Sequence, residues 1–281
     1  MDFNIQLGAE VERNVLTALA EDIGSGDLTA LLTPSKQARG IVITREDAIL
    51  CGTAWFDACF HRIDPQAKIT WSAQDGDLIT AGQALCEITA DTRALLTAER
   101  SALNFLQMLS GTATTTRLFV GLVSHTSARI VDTRKTLPGL RLAQKYAVHC
   151  GGGYNHRIGL YDGILIKENH IIAAGGITQA YRQAKELVHG TVFIQVEVET
   201  LAELDEALTC GATMILLDNM NLDQMREAVA INKGRAKLEA SGGVTLESVR
   251  GIAETGVDRI SIGGLTKDVR AIDLSLRHVE A

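Results

Sequence analysis

The chain has 281 residues, of which 46% are hydrophobic and 22% are charged, a balance typical of globular proteins. Its net charge of −7 argues against a nucleic-acid-binding or membrane-surface protein, because either function calls for a broad basic face. The first residues lack the pattern of a secretory signal, and charges interrupt every apolar run before it could span a membrane. The five cysteines are scattered and form no CxxC pair, so we expect neither disulfides nor a structural zinc site, and we expect a reducing cytoplasm.

The first hundred residues predict a mixed α/β domain. "ARGIVITREDAILCG" indicates strands, "TAWFDACFHRI" a helix, and "AKITWSAQDGDLITAGQALCEITA" further strands with a turn at 75–77. The segment 75–90 resembles a half-repeat of the biotin- and lipoyl-carrier domains, but it lacks the lysine that is modified in those carriers. A β-sandwich segment is therefore the better interpretation, within an N-terminal α/β sandwich domain of residues 1–108.

A long helical pattern over residues 91–123 precedes a repeating unit of short apolar runs and helices. The runs begin about 20 to 35 residues apart and alternate with helical patterns such as "LAELDEALTCGA", which predicts βαβ units in a parallel sheet. The six apolar runs are "ARIVDTRK", "DGILIKENH", "VFIQVEVET", "MILLDNM", "KLEASGG" and "DRISIGG".

Polar or glycine residues follow each of the six runs. In a β/α barrel these strand ends meet at one rim, where active sites are built, whereas in an open doubly wound sheet they would spread along an edge. Six convergent ends favour an incomplete parallel α/β barrel of about six or seven strands, spanning 109–267. The alternating pattern of "AIDLSLRH" predicts a final strand within 268–281 that joins the N-terminal domain.

The window 132–170 is basic within this acidic chain. It holds six Lys or Arg side chains against three Asp or Glu, a net charge of +3, so the other residues together carry −10. We expect this concentration of cations to bind a small anionic ligand. Lys167, at the inner end of a core strand, is expected to face either Glu197, Asp218 or an anion, because a buried lysine without a partner is costly. The alternative is that Lys167 is exposed at the surface.

"GGGYN" within this window does not have the GxGxxG spacing of a dinucleotide-binding loop. Gly151 to Gly153 are instead expected to end a helix that begins near Pro138, followed by a loop that presents His156 and Arg157. Histidines outside this loop are expected to be packing residues: His61, His125, His149, His189 and His278.

Two glycine-rich segments, "ASGGV" (240–244) and "SIGGL" (261–265), end the last two strand units. In barrels the loops after the final strands often bind phosphate through backbone N–H groups, and glycine lets the backbone approach the anion. Both segments could instead be ordinary tight turns. Their joint occurrence at the final pair of strands favours phosphate binding.

The window and its flanking motifs resemble the quinolinate phosphoribosyltransferase family. "DTRKTLPGLRLAQKYAVHCGGGYNHRIGLYDGILIKENH" follows the family pattern and departs from it mainly at Ala143 and Gln144. "TAERSALNFLQMLSGTAT", "VEVET", "LLDNM", "EASGGV" and "ISIGGLT" match in order and spacing, so the resemblance covers nearly the whole chain. It implies the synthesis of nicotinate mononucleotide from quinolinate and phosphoribosyl pyrophosphate, with release of CO2 and pyrophosphate and with Mg2+ as cofactor.

The resemblance also implies roles for individual residues. Quinolinate carboxylates would be bound by Arg134, His156, Arg157 and Lys167, and phosphate groups by Lys135 and Lys167. Glu197 and Asp218 would hold Mg2+ and ribose hydroxyls. The catalytic set is Lys135, Lys167, Glu197 and Asp218. The substrate-binding set comprises Arg100, Thr133, Arg134, Lys135, His156, Arg157, Lys167, Glu197, Asp218, Ser241, Gly242, Gly243, Ile262, Gly263 and Gly264.

The family further implies a homodimer or a higher even homo-oligomer with shared active sites, in which Arg100 reaches the neighbouring subunit's site. The alternative without a functional role is that Arg100 pairs with Glu99 or Asp91 on an exposed helix.

Two other functions stay open at this point. One is a related transferase with another acceptor, such as the molybdenum-operon relatives, and the other is a non-enzymatic carrier or sugar-phosphate-binding module.

Overall fold

The computed structural model describes residues 3–188, 190 and 192–279. His189 and the terminal residues 1, 2, 280 and 281 of the predicted domains lie outside the described residues. The strands are β1 (Gln37–Thr44), β2 (Ala48–Ile49), β3 (Lys68–Trp71), β4 (Leu78–Ile79), β5 (Ala84–Asp91), β6 (Arg129–Val131), β7 (Gly163–Ile166), β8 (Phe193–Val198), β9 (Met214–Asp218), β10 (Lys237–Ser241), β11 (Arg259–Ser261) and β12 (Leu274–Val279). The helices are α1 (Phe3–Ile23), α2 (Thr53–Ile63), α3 (Thr92–Val123), α4 (Arg141–Cys150), α5 (Glu168–Ala174), α6 (Ile177–Leu187), α7 (Leu201–Thr209), α8 (Leu222–Asn232), α9 (Val249–Ala253) and α10 (Gly264–Lys267), with a short 3-10 helix at Ala30–Leu32.

The chain divides into two compact units. The first comprises Met1–Arg117, Thr136–Gly152 and Thr266–Ala281, and the second Leu118–Lys135 and Gly153–Leu265. These bounds differ from the predicted 1–108 and 109–267. The reason is the apolar core of the first unit, which includes Ala113 from α3 and Ala147 from α4, so both helices are held there by burial.

The first unit contains a four-stranded antiparallel sheet in the order β12-β1-β5-β3, and a separate β2-β4 pair. The C-terminal strand β12 lies beside β1, in the register that pairs Gly40 with His278. Trp55, Phe56 and Phe60 of α2 are fully buried in the core of this unit. Burial of three large aromatic side chains on one short helix explains why α2 packs firmly against its surroundings.

The second unit contains six parallel strands in the order β6-β11-β10-β9-β8-β7. Beyond β6, Tyr154 forms a single parallel bridge with Val131. The predicted parallel α/β fold with a separate N-terminal sheet domain is therefore confirmed. Buried runs such as Ile215 to Leu217 in β9 fit a sheet covered on both faces.

Local signals in the sequence set the helix limits in this unit. Thr200 caps α7 by accepting the backbone N–H of Glu203, and Asn221 caps α8 by accepting the N–H of Gln224. Each helix therefore begins where a side-chain oxygen satisfies a free backbone donor. No helix of the described residues has the length and apolar character needed to cross a membrane.

The expectation that isolated histidines are packing residues is wrong for the described ones. His61, His125, His149 and His278 are exposed. His125 Nε2 lies 3.0 Å from the Glu254 carboxylate, and His61 Nε2 lies 3.2 Å from the Ala67 carbonyl. Polar contacts near the surface hold these rings, as suits a half-polar side chain.

Candidate active site

The parallel sheet of the second unit carries the predicted site residues at the carboxyl ends of its strands. Because all six strands run in the same direction, these ends lie along one edge. Following the sheet order from β6 to β7, that edge presents Thr133 to Lys135, then Ile262 to Gly264, Ser241 to Gly243, Asp218, Glu197 and Lys167.

Arg134, which follows β6, and Arg157, which precedes β7, are close enough for their charges to interact. Arg134 is half-buried, and its Nε is buried with no hydrogen-bond partner among the residues that the structure describes. Burial lowers the pKa of Arg157, and the nearby positive charge of Arg134 lowers it further, against the opposite effect of Asp162. Arg157 Nη1 donates to the Gly163 carbonyl at 2.8 Å. Two partly desolvated guanidinium groups in this arrangement repel each other and would be stabilised by an anion.

His156 is nearly buried, and both of its ring nitrogens have partners within the chain. Nδ1 accepts the backbone N–H of Arg157 at 2.7 Å, so the neutral ring carries its proton on Nε2. Nε2 lies 2.8 Å from Gln195 Oε1 and 3.6 Å from Glu239 Oε1, and Arg259 Nε donates to Glu239 Oε2 at 2.9 Å. His156 could therefore contact the carboxylate of a bound ligand directly only if the ring gave up one of these partners.

Asp132 shapes the segment that leads to Arg157. Its carboxylate accepts the backbone N–H of His156 at 2.8 Å and the side-chain amide of Asn155 at 2.6 Å. The sequence prediction did not assign Asp132, Gln195 or Glu239 to the site. The one available signal was a polar residue inside an apolar run, as in "VFIQVEVET" and "KLEASGG".

Lys167 pairs with Glu197, as one of the predicted alternatives has it. Its Nζ lies 3.2 Å from Glu197 Oε2, but 45% of the Lys167 side chain is exposed, so the lysine is not buried. Burial raises the pKa of Glu197, the Lys167 charge lowers it, and the charges of Asp218 and Glu168 raise it. Crowded carboxylates of this kind favour a cation nearby.

Backbone geometry at the glycine-rich ends of β10 and β11 requires glycine. Gly242 and Gly243 have φ angles of 107° and 55°, in the left-handed region. A Cβ on Gly242 would collide with Asn219, and a Cβ on Gly263 would lie 2.9 Å from Lys135 Cδ. These glycines therefore allow close packing around Lys135 and Asn219, whatever ligand binds beside them.

Arg100 belongs to the first unit, on α3. It is exposed and has no ion pair or hydrogen bond among the described residues. The alternative pairing with Glu99 or Asp91 is therefore wrong, and the Asp91 carboxylate instead accepts from the Ser35 hydroxyl and from the backbone N–H of Arg93. The predicted contribution of Arg100 to a partner's site stays a prediction.

A cavity of about 320 Å³ lies within the first unit, and none of the predicted site residues lines it. Its two arginines are already engaged, since Arg13 binds Glu10 and the Gly139 carbonyl, and Arg141 Nε donates to Thr136. The lining residues are Glu10, Arg13, Thr136, Leu137, Pro138, Gly139, Arg141 and Leu142.

Comparison with known proteins matches both parts of the chain. Residues 27–110 match the quinolinate phosphoribosyl transferase N-terminal domain, and residues 112–277 match the C-terminal domain. The chain is 42% identical to a probable nicotinate-nucleotide pyrophosphorylase [carboxylating] of Bacillus subtilis, over 91% of this chain and 89% of the relative. It is 40% identical to the chloroplastic enzyme of that name from Arabidopsis thaliana, over 92% of this chain and 80% of the relative.

A solved structure supports the same similarity. The nicotinate-nucleotide pyrophosphorylase of Francisella tularensis superposes with a TM-score of 0.94 at 47% identity, and the match covers 96% of each chain. The similarity thus extends over the fold of the chain as well as its sequence.

Proposed function

Because the chain belongs to the quinolinate phosphoribosyltransferase family, we propose that the carboxyl edge of its parallel sheet is the active site. The enzyme transfers the phosphoribosyl group of phosphoribosyl pyrophosphate to quinolinate with decarboxylation. The products are nicotinate mononucleotide, CO2 and pyrophosphate, and the reaction belongs to NAD biosynthesis.

The observation that carries the site assignment is the pair Arg134 and Arg157. Quinolinate has two carboxylates, and a guanidinium group can grip a carboxylate through two parallel hydrogen bonds. The buried Arg134 Nε has no partner within the described chain, and Arg157 stands beside it. A bound dicarboxylate would supply that partner and would remove the repulsion between the two cations. His156 would hold the backbone of Arg157 in place and would contact the diacid after exchange of a partner.

Phosphate groups of the co-substrate would bind at the ends of β10 and β11. Gly242, Gly243 and Gly263 leave the backbone accessible there, and Lys135 packs against Gly263. We assign the 5′-phosphate to this stretch, with Ser241, Ile262 and Gly264, and pyrophosphate oxygens to Lys135 and Lys167. Backbone N–H groups and ammonium groups are suitable donors to phosphate oxygens.

Glu197 and Asp218 are the proposed ligands of Mg2+. Both end neighbouring strands, and their oxygen atoms suit a hard cation. The upward shift in the pKa of Glu197 fits a place where a divalent cation would relieve the negative charge. When bound, the metal would offset the charge of the pyrophosphate.

Turnover should cease in EDTA and return with Mg2+, and full activity in metal-free buffer would refute this assignment.

The reaction needs charge placed in advance around the ribose carbon. The quinolinate ring nitrogen forms the new bond to this carbon as pyrophosphate leaves with the bonding electron pair, and the ribose gains positive character in between. Thr133 and the carboxylates of Glu197 and Asp218 would orient the ribose, and the carboxylates would stabilise its developing charge. Loss of CO2 then leaves its electron pair beside the cationic ring nitrogen, and a proton takes its place.

We further propose a homodimer or higher even oligomer in which Arg100 completes the partner's site, and a cytoplasmic location. The guanidinium of Arg100 is exposed and has no ion pair with any described residue, which supports the first proposal, and the five free cysteines fit a reducing compartment. Cell fractionation would check the location, since recovery of the chain only outside the cytoplasm would contradict it.

Substitution of the two arginines tests the diacid site. Arg134→Ala and Arg157→Ala should each weaken quinolinate binding by about 2–4 kcal/mol, because a partner is removed from a desolvated charged pair. Isothermal titration calorimetry would measure it. Arg226→Ala, at an exposed pair with Asp223, is the matched control and should bind quinolinate like the unmodified enzyme.

Substrate choice separates this enzyme from relatives with another acceptor. Nicotinate lacks one of the two carboxylates and should be a poor substrate in the same assay. If both arginine variants bind quinolinate normally, the diacid pocket lies elsewhere. If nicotinate is used as well as quinolinate, the recognition of two carboxylates is wrong.

A further inference from the structure

Two thiols and a carboxylate meet in the first unit, and the proposed reaction uses none of them. The Sγ atoms of Cys51 and Cys150 and a carboxylate oxygen of Asp75 all lie within 4.8 Å of one another, the one such group of three metal-ligating side chains among the described residues. Cys51 lies between β2 and α2, Asp75 in the turn between β3 and β4, and Cys150 ends α4. Because three separate segments supply these groups, the spacing of the cysteines gave no sign of them.

The surrounding hydrogen bonds hold Asp75 in place. Its Oδ1 accepts the backbone N–H groups of Gly52 and Thr53 at 3.1 and 3.2 Å, at the start of α2. Its Oδ2 accepts the hydroxyl of Tyr146 at 2.9 Å. Tyr146 precedes Cys150 by one helical turn, so both side chains lie on the same face of α4.

The segments that carry the cysteines are also held. The backbone N–H of Cys51 donates to the Ser110 hydroxyl at 2.9 Å, and the Cys51 side chain is fully buried. Arg117 donates to the carbonyl of Cys150 at 3.3 Å and to that of Gly151 at 3.0 Å. Because these contacts already hold the backbone beside the two cysteines, the side chains lose little conformational freedom when they bind a ligand.

The two thiols differ in their acid strength. Burial raises the pKa of Cys51, with further contributions from Cys150 and the Asp75 charge. A hydrogen bond from the Cys51 thiol lowers the pKa of Cys150, against the effect of burial and of Asp75, and Tyr146 lowers it further. Cys150 is therefore the thiol that first offers a thiolate.

We propose that Cys51, Cys150 and Asp75 form a binding site for a zinc-class divalent metal ion, with Tyr146 or a water molecule as the fourth ligand. Two sulfurs and one oxygen suit zinc, which binds thiolates, carboxylates and water in tetrahedral geometry. Zinc bond lengths of about 2.3 Å to sulfur and 2.0–2.2 Å to oxygen place tetrahedral ligand atoms roughly 3.5–3.8 Å apart. Ligand atoms that already lie within 4.8 Å would therefore need to move by only about 1 Å.

Charge and protons balance in the proposed complex. The incoming M2+ replaces the thiol protons of Cys51 and Cys150, and the protons leave to solvent. Two thiolates and one carboxylate then surround the ion, which leaves one net negative charge. Arg117 carries a positive charge beside the Cys150 carbonyl and would offset it.

A disulfide between the two cysteines is the competing fate of this cluster. The Asp75 carboxylate has no part in a disulfide, and its charge acts to raise the pKa of both thiols, which disfavours an attacking thiolate on either cysteine. Cys51 is also 0% exposed, so an external oxidant has no access to its sulfur. A carboxylate held against two thiols completes a metal ligand set instead.

The inference does not rest on the proposed function, because it is tested by binding and not by turnover. Glu197 and Asp218 belong to the other unit and offer only oxygen, so a metal ion there gives no sulfur signal. A metal ion on the cluster ties the start of α2, the β3–β4 turn and the end of α4 together. It should therefore raise the melting temperature of the chain further as the free metal concentration increases.

Cobalt(II) is the spectroscopic probe for this site. The full-length chain is reduced with a phosphine, freed of metal by chelation and desalting, and titrated with Co2+. We expect one ion per chain, a sulfur-to-cobalt charge-transfer band, visible bands with the intensity of a tetrahedral site, and release of about two protons. Added Zn2+ should abolish the bands.

Four variants locate the ligands. Cys51→Ser and Cys150→Ser should each weaken Co2+ binding more than about 100-fold, since loss of an outer-shell partner alone costs 10–100-fold. Asp75→Asn keeps an oxygen for the two backbone donors but should also weaken binding. Cys59→Ala removes a buried thiol of the same unit and should leave the spectrum unchanged.

Circular dichroism of each variant shows whether it is folded. The titration of the unmodified chain tests the proposal even if a variant does not fold. Absence of the sulfur-to-cobalt band in the reduced, unmodified chain would overturn the proposal. So would a band that survives in both folded cysteine variants, or a disulfide between Cys51 and Cys150 that persists under the reducing conditions.

Discussion

Asp57 is a half-buried carboxylate on α2 whose ionisation opposes folding. Burial raises the pKa of Asp57 above its ordinary value of 3.8, and the Asp75 charge adds to this, while the hydrogen bond from Trp71 Nε1 at 2.9 Å and the nearby His61 lower it. The folded protein therefore binds the Asp57 proton more tightly than the unfolded chain does. As the pH rises from 3.8 through the raised pKa, Asp57 ionises and the free energy of unfolding falls.

Asp57→Asn isolates that effect. Asparagine keeps an oxygen for Trp71 but has no proton to lose, so the variant should gain stability over the wild type as the pH rises, up to a plateau near neutrality. Urea unfolding of both proteins between pH 4 and 7 would measure the difference in free energy, and carboxylates common to both proteins cancel. Asp57→Ala, which removes the hydrogen bond to Trp71, is the control for lost contacts. A difference that is constant or shrinks with pH would contradict the prediction.

Charged residues at strand ends could be found from sequence, but the groups that position them could not. Arg134, Glu197 and Asp218 lie at or near the ends of apolar runs, and parallel strands bring such ends to one edge. Gln195 and Glu239 meet His156 only because β8 and β10 are placed on either side of β9. Such contacts depend on strand order, which a single sequence does not specify.

Gly151 shows the same limit at the scale of elements. Its place after α4 was predicted as a helix end, and α4 does end at Cys150 and begins at Arg141, three residues after Pro138. The additional role of Gly151 is close packing. A Cβ there would lie 2.5 Å from the Ala113 carbonyl and 2.6 Å from Thr116 Cβ, both on α3. No local pattern in the sequence reports a contact between two helices.

Gly151→Ala should therefore destabilise the first unit. The residue has a helical φ of −69°, so alanine brings no backbone strain and the effect is one of space alone. Overpacking against backbone should lower the free energy of unfolding by about 1–3 kcal/mol. Gly8→Ala is the matched control, because Gly8 lies within α1 with nothing within 4 Å of an added Cβ, and it should stabilise by about 0.5–1 kcal/mol. Denaturant unfolding of both variants checks this. If Gly151→Ala is as stable as the unmodified chain, α3 and α4 can move apart without cost and the prediction is wrong.

Elements with strong local periodicity were predicted closely. The helix expected over "TAWFDACFHRI" is α2, and the long helix expected over 91–123 is α3. The six apolar runs became the six parallel strands, because each is short and is closed by polar or glycine residues. The 21-residue helix α1 was not predicted, since its apolar positions alternate irregularly with charged ones.

The whole molecule separates its charges by strand order. Cations and glycines occupy the β6, β11 and β10 ends, and carboxylates occupy the β9 and β8 ends, with Lys167 beyond them. An acidic chain can thus bind two polyanionic substrates, because the window 132–170 carries a net charge of +3 while the other residues together carry −10. Among the predicted site cations, Arg100 alone belongs to the first unit, on α3.

Arg100 and Lys135 provide the test of shared active sites. If Arg100 acts in the partner's site, Arg100→Ala and Lys135→Ala should each be nearly inactive alone, yet a mixed dimer should contain one site with both residues intact. Refolding the two variants together should restore roughly a quarter of wild-type activity, because random pairing makes half of the dimers mixed and each has one intact site of two. Turnover of quinolinate measures the recovery, and differently tagged chains that copurify prove that subunits have exchanged. A mixture of Lys135→Ala with Lys167→Ala is the control, since both lysines belong to the second unit of one chain and any mixed site then lacks one of them. Proven exchange without recovery in the Arg100 mixture would show that each chain completes its own site.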